Sequence, residues 1–185
     1  RILDEARSVL ATLGVDLHDA QGRDLLVAHG ATVASGGKRV LIPADLVDRA
    51  LATAPRAFAL YDVLGNATHD LSGENVHFTP GSAAIRVLDP GTGALRGPVT
   101  ADYVRYAKLV ASLPHLAAQS TAFVPSDVPP GISDSYRLFL GLLHCEKPVV
   151  TGAFSAEAFR VMLDLQLAVR GTPEALRARP LAIFT

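Results

Sequence analysis

Ser126 and Asp127 are the residues best placed to do chemistry. They directly follow the apolar run Ala117–Val124 and are bracketed by Pro125, Pro129 and Pro130. A hydroxyl and a carboxylate on a rigid loop at the carboxyl end of a buried strand can orient a substrate, and the carboxylate of Asp127 is suited to a cationic one. An Asx turn that braces the loop would use the same two side chains, and both readings stay open. Gly81-Ser82 and Thr151-Gly152 stand at the ends of two further apolar runs. Their glycines permit close backbone approach to a ligand, or simply close a turn. The candidate substrate-binding set is therefore Gly81, Ser82, Ser126, Asp127 and Thr151.

Other reactive side chains give weaker signals. His18, His29, His69, His77, His115 and His144 lack the i,i+4 spacing of a helical metal site, and no second cysteine joins Cys145, so no metal ligand set is expected. His29 and His144 fall near helix carboxyl ends, where positive charge is favourable, and read as surface or capping residues. Cys145 reads as a buried free thiol. Gly91-Thr92-Gly93 resembles part of a phosphate cradle but lacks the following helix and lysine, so it reads as a hairpin turn. Phe78, Phe123 and Phe154 lie near the proposed strand ends, as core residues or as faces for a methylated ammonium.

These residues need a scaffold, and the pattern supplies one. Ile2, Ala6, Val9, Leu10 and Leu13 make one helical stripe that Gly14 ends. Asp19 caps a second helix that closes at Gly30, residues 31–42 alternate as a hairpin about Ser35-Gly36-Gly37, and Pro43 opens a third helix that Pro55 stops. Residues 56–99 read as short strands broken by Gly65-Asn66, Ser72-Gly73 and Pro90-Gly91. From Thr100 the order is α-β-α-β-α-β. Caps are expected at Thr100, Ser133 and Ser155, and Tyr136, Phe139, Leu140 and Leu143 form the inner face of the middle helix. Such alternation requires a parallel sheet with right-handed crossovers. With Val76–Thr79 as a first strand, about four parallel strands are expected. That is half of a (β/α)8 TIM barrel or an open sheet, in an α/β fold whose residues 1–75 form a helical and β-hairpin subdomain and whose residues 76–185 form the half-barrel.

Composition narrows the function. Seventeen basic residues nearly cancel eighteen acidic ones, without a basic stripe, so neither nucleic acid nor an acidic membrane surface is an expected partner. The single cysteine excludes a disulfide framework and fits a reducing cytoplasm. No apolar run approaches the roughly 20 residues of a membrane span. Arg1 already lies inside a helical pattern and the last strand ends at its mouth, so the chain reads as part of a longer one. A lone half-barrel would expose sheet edges and apolar helix faces, which predicts a homo-oligomer.

Several separated motifs carry a family likeness. Leu13-Gly14-Val15, Val40-Leu41-Ile42-Pro43, Ala54-Pro55-Arg56 before Tyr61, Val87-Leu88-Asp89-Pro90, Pro125-Ser126-Asp127-Val128-Pro129 and Glu146-Lys147-Pro148 together resemble the trimethylamine:corrinoid methyltransferase family. The resemblance implies an incomplete (β/α)8 barrel and transfer of a methyl group from a methylated amine to the cobalt of a corrinoid (cobalamin) carried by a partner protein, with no cofactor bound directly. Family members that act on trimethylamine carry pyrrolysine in the later part of the barrel, which these residues do not include. Relatives without it act on quaternary amines such as glycine betaine. No catalytic residue carries over, and the five candidates are placed by position alone. Two other readings remain: an aldolase-type lyase, against which Lys147 counts because it precedes its strand, and a non-catalytic half-barrel binding module.

Overall fold

The computed structural model describes residues 1–185, which divide into two compact units, Arg1–Arg56 and Ala57–Thr185. The fold is mixed α/β, with seven α-helices and several small sheets. None of its helices is long and apolar enough to cross a membrane.

In the first unit α1 (Ile2–Thr12), β1 (Val15–Asp16), α2 (Ala20–Ala28), β2 (Thr32–Val33), β3 (Arg39–Leu41) and α3 (Ala44–Thr53) follow in order. Asp19 caps α2 by accepting from Gly22 N at 2.5 Å. The expected hairpin is present as β2 against β3, and β1 adds a third strand on the far edge of β3 that the sequence pattern did not reveal. Gly14 makes that pairing possible. It lies at φ +72°, and a Cβ there would sit 2.3 Å from Val40 O.

The second unit opens with the hairpin β4 (Ala59–Tyr61) and β5 (Ala67–Asp70). Tyr61 N donates to Pro180 O at 2.9 Å and Val63 N to Glu146 O at 2.7 Å. Arg170 adds bonds to the carbonyls of Tyr61, Asp62 and Val63. Residues 57–75 are thereby fastened to the amino ends of the later strands, within this unit. A second hairpin, β6 (Val87–Leu88) and β7 (Leu95–Arg96), leads into α4 (Thr100–Ser112).

After α4 come β8 (Gln119–Ser120), α5 (Ser133–His144), β9 (Val149–Thr151), α6 (Ala156–Arg170), α7 (Pro173–Ala178) and β10 (Ala182–Phe184). The three strands form one parallel sheet in the order β10-β9-β8. This matches the crossover pattern read from the sequence for these elements. The core lies between the sheet and its helices. Leu138, Val149 and Met162 are fully buried in one cluster, and Tyr103, Ala107 and Leu140 form another. Each large apolar side chain buried this way contributes about 1.5–3 kcal/mol.

The expected first strand, Val76–Thr79, does not form as a regular strand. Residues 78–84 instead run irregularly beside β8. Ala117 N donates to Phe78 O at 2.9 Å, Ala84 N to Ala122 O at 2.7 Å and Val124 N to Ala84 O at 3.0 Å, with a single parallel bridge between Ala84 and Phe123. Pro80 lacks an N–H and Ala83 sits at φ +60°, so no continuous ladder can be maintained.

Two expected caps also move. Thr100 is the first helical residue of α4, not its cap, and Asp102 accepts from Val99 N at 2.9 Å. Ser133 is likewise inside α5, with its hydroxyl buried and unpartnered. Of the expected inner face of α5, Leu140 is buried and Tyr136 packs against the core, whereas Phe139 is 43% and Leu143 61% exposed, and Ser133, Asp134 and Arg137 are buried as well.

Arg96 bridges Asp89 in the second hairpin (2.9 Å) and Asp102 in α4 (2.6 Å). Its guanidinium holds the Asp89 carboxyl down to about 2 and, with further help from Val99 N and Arg105, holds Asp102 well below the usual carboxylate range. Both groups bind protons more weakly folded than unfolded. Their stabilisation is therefore complete above about pH 5 and is lost as pH falls through 4 toward about 2. Asp102→Asn is expected to cost about 1–3 kcal/mol at neutral pH and to flatten the acid limb of a denaturant-derived stability profile. An unchanged limb would contradict the assignment.

Candidate functional site

A small cleft of about 230 Å³ lies at the carboxyl ends of the parallel strands, lined by Ser82, Ala83, Thr121, Arg137, Gly152, Ala153, Phe154 and Thr185. It is assembled from the residues that follow β8, β9 and β10, from the irregular segment beside β8 and from one inward side chain of α5. Gly152 leaves room here, because a Cβ would approach Thr185 O to 3.0 Å, a tight contact. Ala83 is the one non-glycine residue at positive φ in the chain, and it sits on the cleft wall. Such backbone strain concentrates at functional sites.

Arg137 organises the wall. Its side chain is 3% exposed and pairs with Asp134, which is 5% exposed. Nε donates to Ser133 O at 3.3 Å and Nη1 to Thr121 O at 2.8 Å. The second oxygen of Asp134 accepts from Phe154 N at 2.6 Å. One ion pair thus ties α5 to the segments after β8 and β9. The guanidinium also lies 5.6 Å from the ring centroid of Phe154, within cation–π range, while that ring is 76% exposed.

Of the five candidates from the sequence, Ser82 lines this cleft and Thr151 borders it. Thr151 is buried, with its hydroxyl 3.0 Å from that of Thr121, and precedes Gly152. Gly81 lies outside the lining and accepts from the Ser120 hydroxyl at 2.7 Å. A Cβ on Gly81 would meet nothing, so packing does not require glycine there. Ser126 and Asp127 gather elsewhere, at the start of α4. Ser126 Oγ donates to Pro98 O at 2.9 Å, and both Asp127 oxygens accept from Thr100 N, at 2.9 and 3.1 Å. Gly97 leaves room for this contact, since a Cβ on it would lie 2.9 Å from Ser126 Oγ.

Other candidates resolve plainly. Asp89 accepts from Gly91 N, Thr92 N and the Thr92 hydroxyl, so a carboxylate of the chain itself closes the Gly91–Gly93 turn. Cys145 is buried, and burial pushes its thiol up, away from a nucleophilic thiolate. Lys147 Nζ donates to the carbonyls of Val110 and Leu113 at 2.6 Å each, which occupies it at the end of α4. Phe123 packs against the core and against Tyr106, whereas Phe78 is 67% exposed. No group of three or more His, Cys, Asp or Glu side chains is gathered for a metal ion.

Sequence reasoning missed Arg137, Asp134 and Thr121. The Asp134-x-x-Arg137 spacing is visible as an i,i+3 ion pair, but such pairs normally sit on exposed helix faces.

Residues 1–183 match the model of a family described as trimethylamine methyltransferase (MTTB). A trimethylamine methyltransferase MttB of Desulfitobacterium hafniense (strain DSM 10664 / DCB-2) is 25% identical over 175 residues, covering 94% of this chain and 35% of that protein. A glycine betaine methyltransferase of Desulfitobacterium hafniense (strain Y51) is 23% identical over 186 residues, covering 99% of this chain and 38% of that protein. The chain thus spans little more than a third of the length of these relatives.

Removing Arg137 alone would strand the Asp134 carboxylate in the interior. Arg137→Met is expected to cost about 3–5 kcal/mol in urea unfolding, and adding Asp134→Asn is expected to recover part of that loss. A double variant no more stable than the single one would contradict the pairing.

Proposed function

The chain belongs to the trimethylamine methyltransferase family, and on that premise we propose that the whole protein moves a methyl group from a methylated amine to the cobalt of a corrinoid carried by a partner protein. The observation that carries this reading is the family match along nearly the entire chain. The two relatives, named for trimethylamine and for glycine betaine, support the amine as methyl donor.

In this reading the second unit supplies the first part of a (β/α)8 barrel. The parallel strands β8, β9 and β10 alternate with α5 and α6, and the irregular segment 78–84 stands in the place of a preceding strand. Barrel chemistry sits at the carboxyl ends of the strands, which is where Ser82, Thr121, Thr151, Gly152 and Phe154 gather. We assign Ser82 to the substrate wall, with the buried Thr151 hydroxyl supporting it from behind through Thr121, and with Gly81 lying outside it. Ser126 and Asp127 serve it by fixing the loop after β8 against α4.

A quaternary ammonium offers neither an N–H nor a lone pair, so aromatic faces, shape and charge must recognise it. The exposed ring of Phe154 is the aromatic face nearest to hand. The partner's corrinoid supplies the nucleophilic metal that accepts the methyl group. The residues here bind the amine, exclude alternative poses and hold the N–CH3 bond in line with the approaching acceptor. Such positioning is worth up to about 7–11 kcal/mol of a reaction barrier.

The full-length gene product, given cob(I)alamin with trimethylamine or glycine betaine in separate reactions, is expected to form methylcobalamin from one of them, followed by absorbance. A folded protein that transfers a methyl group from neither would contradict this function.

A further inference from the structure

We infer that Ser120, backed by Tyr106, is a positioning residue for the cleft: its hydroxyl holds the irregular segment 78–84 by Gly81 O and so fixes Ser82 and Ala83 on the wall, where the backbone ladder fails. As a role in methyl transfer this rests on the reading of the whole protein as an amine methyltransferase. The anchoring itself involves only residues of this unit.

The segment needs an anchor at one place. Its ends are tied by main-chain bonds, Ala117 N to Phe78 O at 2.9 Å and Ala84 N to Ala122 O at 2.7 Å. Between them Pro80 has no N–H to give. Ala83 N lies 3.5 Å from Thr121 O, a carbonyl to which Arg137 Nη1 already donates at 2.8 Å. Ala83 also sits at φ +60°, a conformation that surrounding contacts must hold against an unfavourable backbone energy. Ser82 and Ala83 are the residues of the segment that line the cleft, so the wall falls where the pairing is weakest.

A side-chain relay fills that gap. Ser120 is fully buried at the end of β8, and its Oγ donates to Gly81 O at 2.7 Å. A serine hydroxyl has one hydrogen and a carbonyl can only accept, so the Tyr106 hydroxyl, 2.8 Å from Ser120 Oγ, is the donor of the second bond. The order is therefore Tyr106 O–H to Ser120 O–H to Gly81 O. Burial pushes the Tyr106 phenol above its ordinary value, which keeps it a donor at neutral pH. Its ring meets Phe123 edge-on at 5.3 Å, and Phe123 is the bridge partner of Ala84. Tyr103, also on α4, meets Tyr106 at 5.9 Å and donates to Ser120 O at 3.1 Å. Helix α4 thus reaches both flanks of the Ser82-Ala83 step, Gly81 through Ser120 and Ala84 through Phe123. A wall held in this way stays in place while the amine is aligned, and a displacement of about 1 Å there would cost up to about a hundredfold in rate.

The test is amide hydrogen exchange of the full-length protein, read by mass spectrometry on peptides that cover Ala83 and Ala84, together with kcat and KM for methyl transfer to cob(I)alamin from trimethylamine or glycine betaine. In Ser120→Ala, exchange at Ala83 and Ala84 is expected to quicken about tenfold, as the loss of one hydrogen bond implies, with the amides of β9 and β10 unchanged. The kcat is expected to fall about tenfold while KM stays within about twofold. Tyr106→Phe leaves the Ser120 hydroxyl its own proton for Gly81 O, so it is expected to move exchange and kcat in the same direction by less. It takes the place of Ser120→Ala if that variant does not fold. Unchanged exchange at Ala83 and Ala84 would overturn the anchor. Faster exchange spread over the whole unit, or a loosened segment with unaltered kcat, would overturn the positioning role. An unaltered protein that methylates cob(I)alamin from neither amine would overturn the methyltransferase reading, and exchange at Ala83 and Ala84 would still decide the anchor.

Discussion

A single buried guanidinium sets the geometry of the cleft. Arg137 projects inward from α5 and donates both to the carboxylate of Asp134 and to the carbonyl of Thr121 just after β8, while Asp134 also accepts from the N–H of Phe154 after β9. Two loops that are far apart in sequence are thereby fixed to one helix turn. Burying a charge pair is costly, and replacing such a pair by apolar residues is often neutral or stabilising. The pair holds two loop segments in one register and leaves a cation facing the cleft, neither of which an apolar pair would do.

A second network shapes the neighbouring loop by the same logic. Arg96 joins Asp89 and Asp102, Asp102 satisfies Val99 N, and Asp127 satisfies Thr100 N, so the unpaired N–H groups at the start of α4 are met by carboxylates. Negative charge there also complements the helix dipole. Ser126 bonds to Pro98 O and is admitted by the missing side chain of Gly97. The loop that sequence reasoning singled out for chemistry is thus a brace, and its rigidity carries over to the strand end beside it.

What was legible in the sequence was local. The stripe of α1, the caps at Asp19 and Ser155, the turn glycines and the alternation from α4 to β10 depend on neighbours within a few residues, and each is present. What was missed depends on distant partners. Asp127 caps a helix that begins 27 residues earlier in the chain. β1 is two residues long and exists only because β3 offers an edge. The inner face of α5 was half placed: Tyr136 and Leu140 meet the core, but the helix is polar at its start, with Ser133, Asp134 and Arg137 buried, and a rule that looks for apolar periodicity does not register buried polar side chains. The same polarity hid the cleft, since its central residue is a buried arginine and not one of the hydroxyls at the strand ends.

The chain belongs to the trimethylamine methyltransferase family, and its second unit carries a cleft at the carboxyl ends of the parallel strands. The most direct test is a crystal structure of the full-length protein with a methylated amine bound. The proposed function predicts the ligand at the carboxyl ends of β8, β9 and β10, beside Ser82, Thr121 and Phe154. A ligand lodged away from these residues would contradict it.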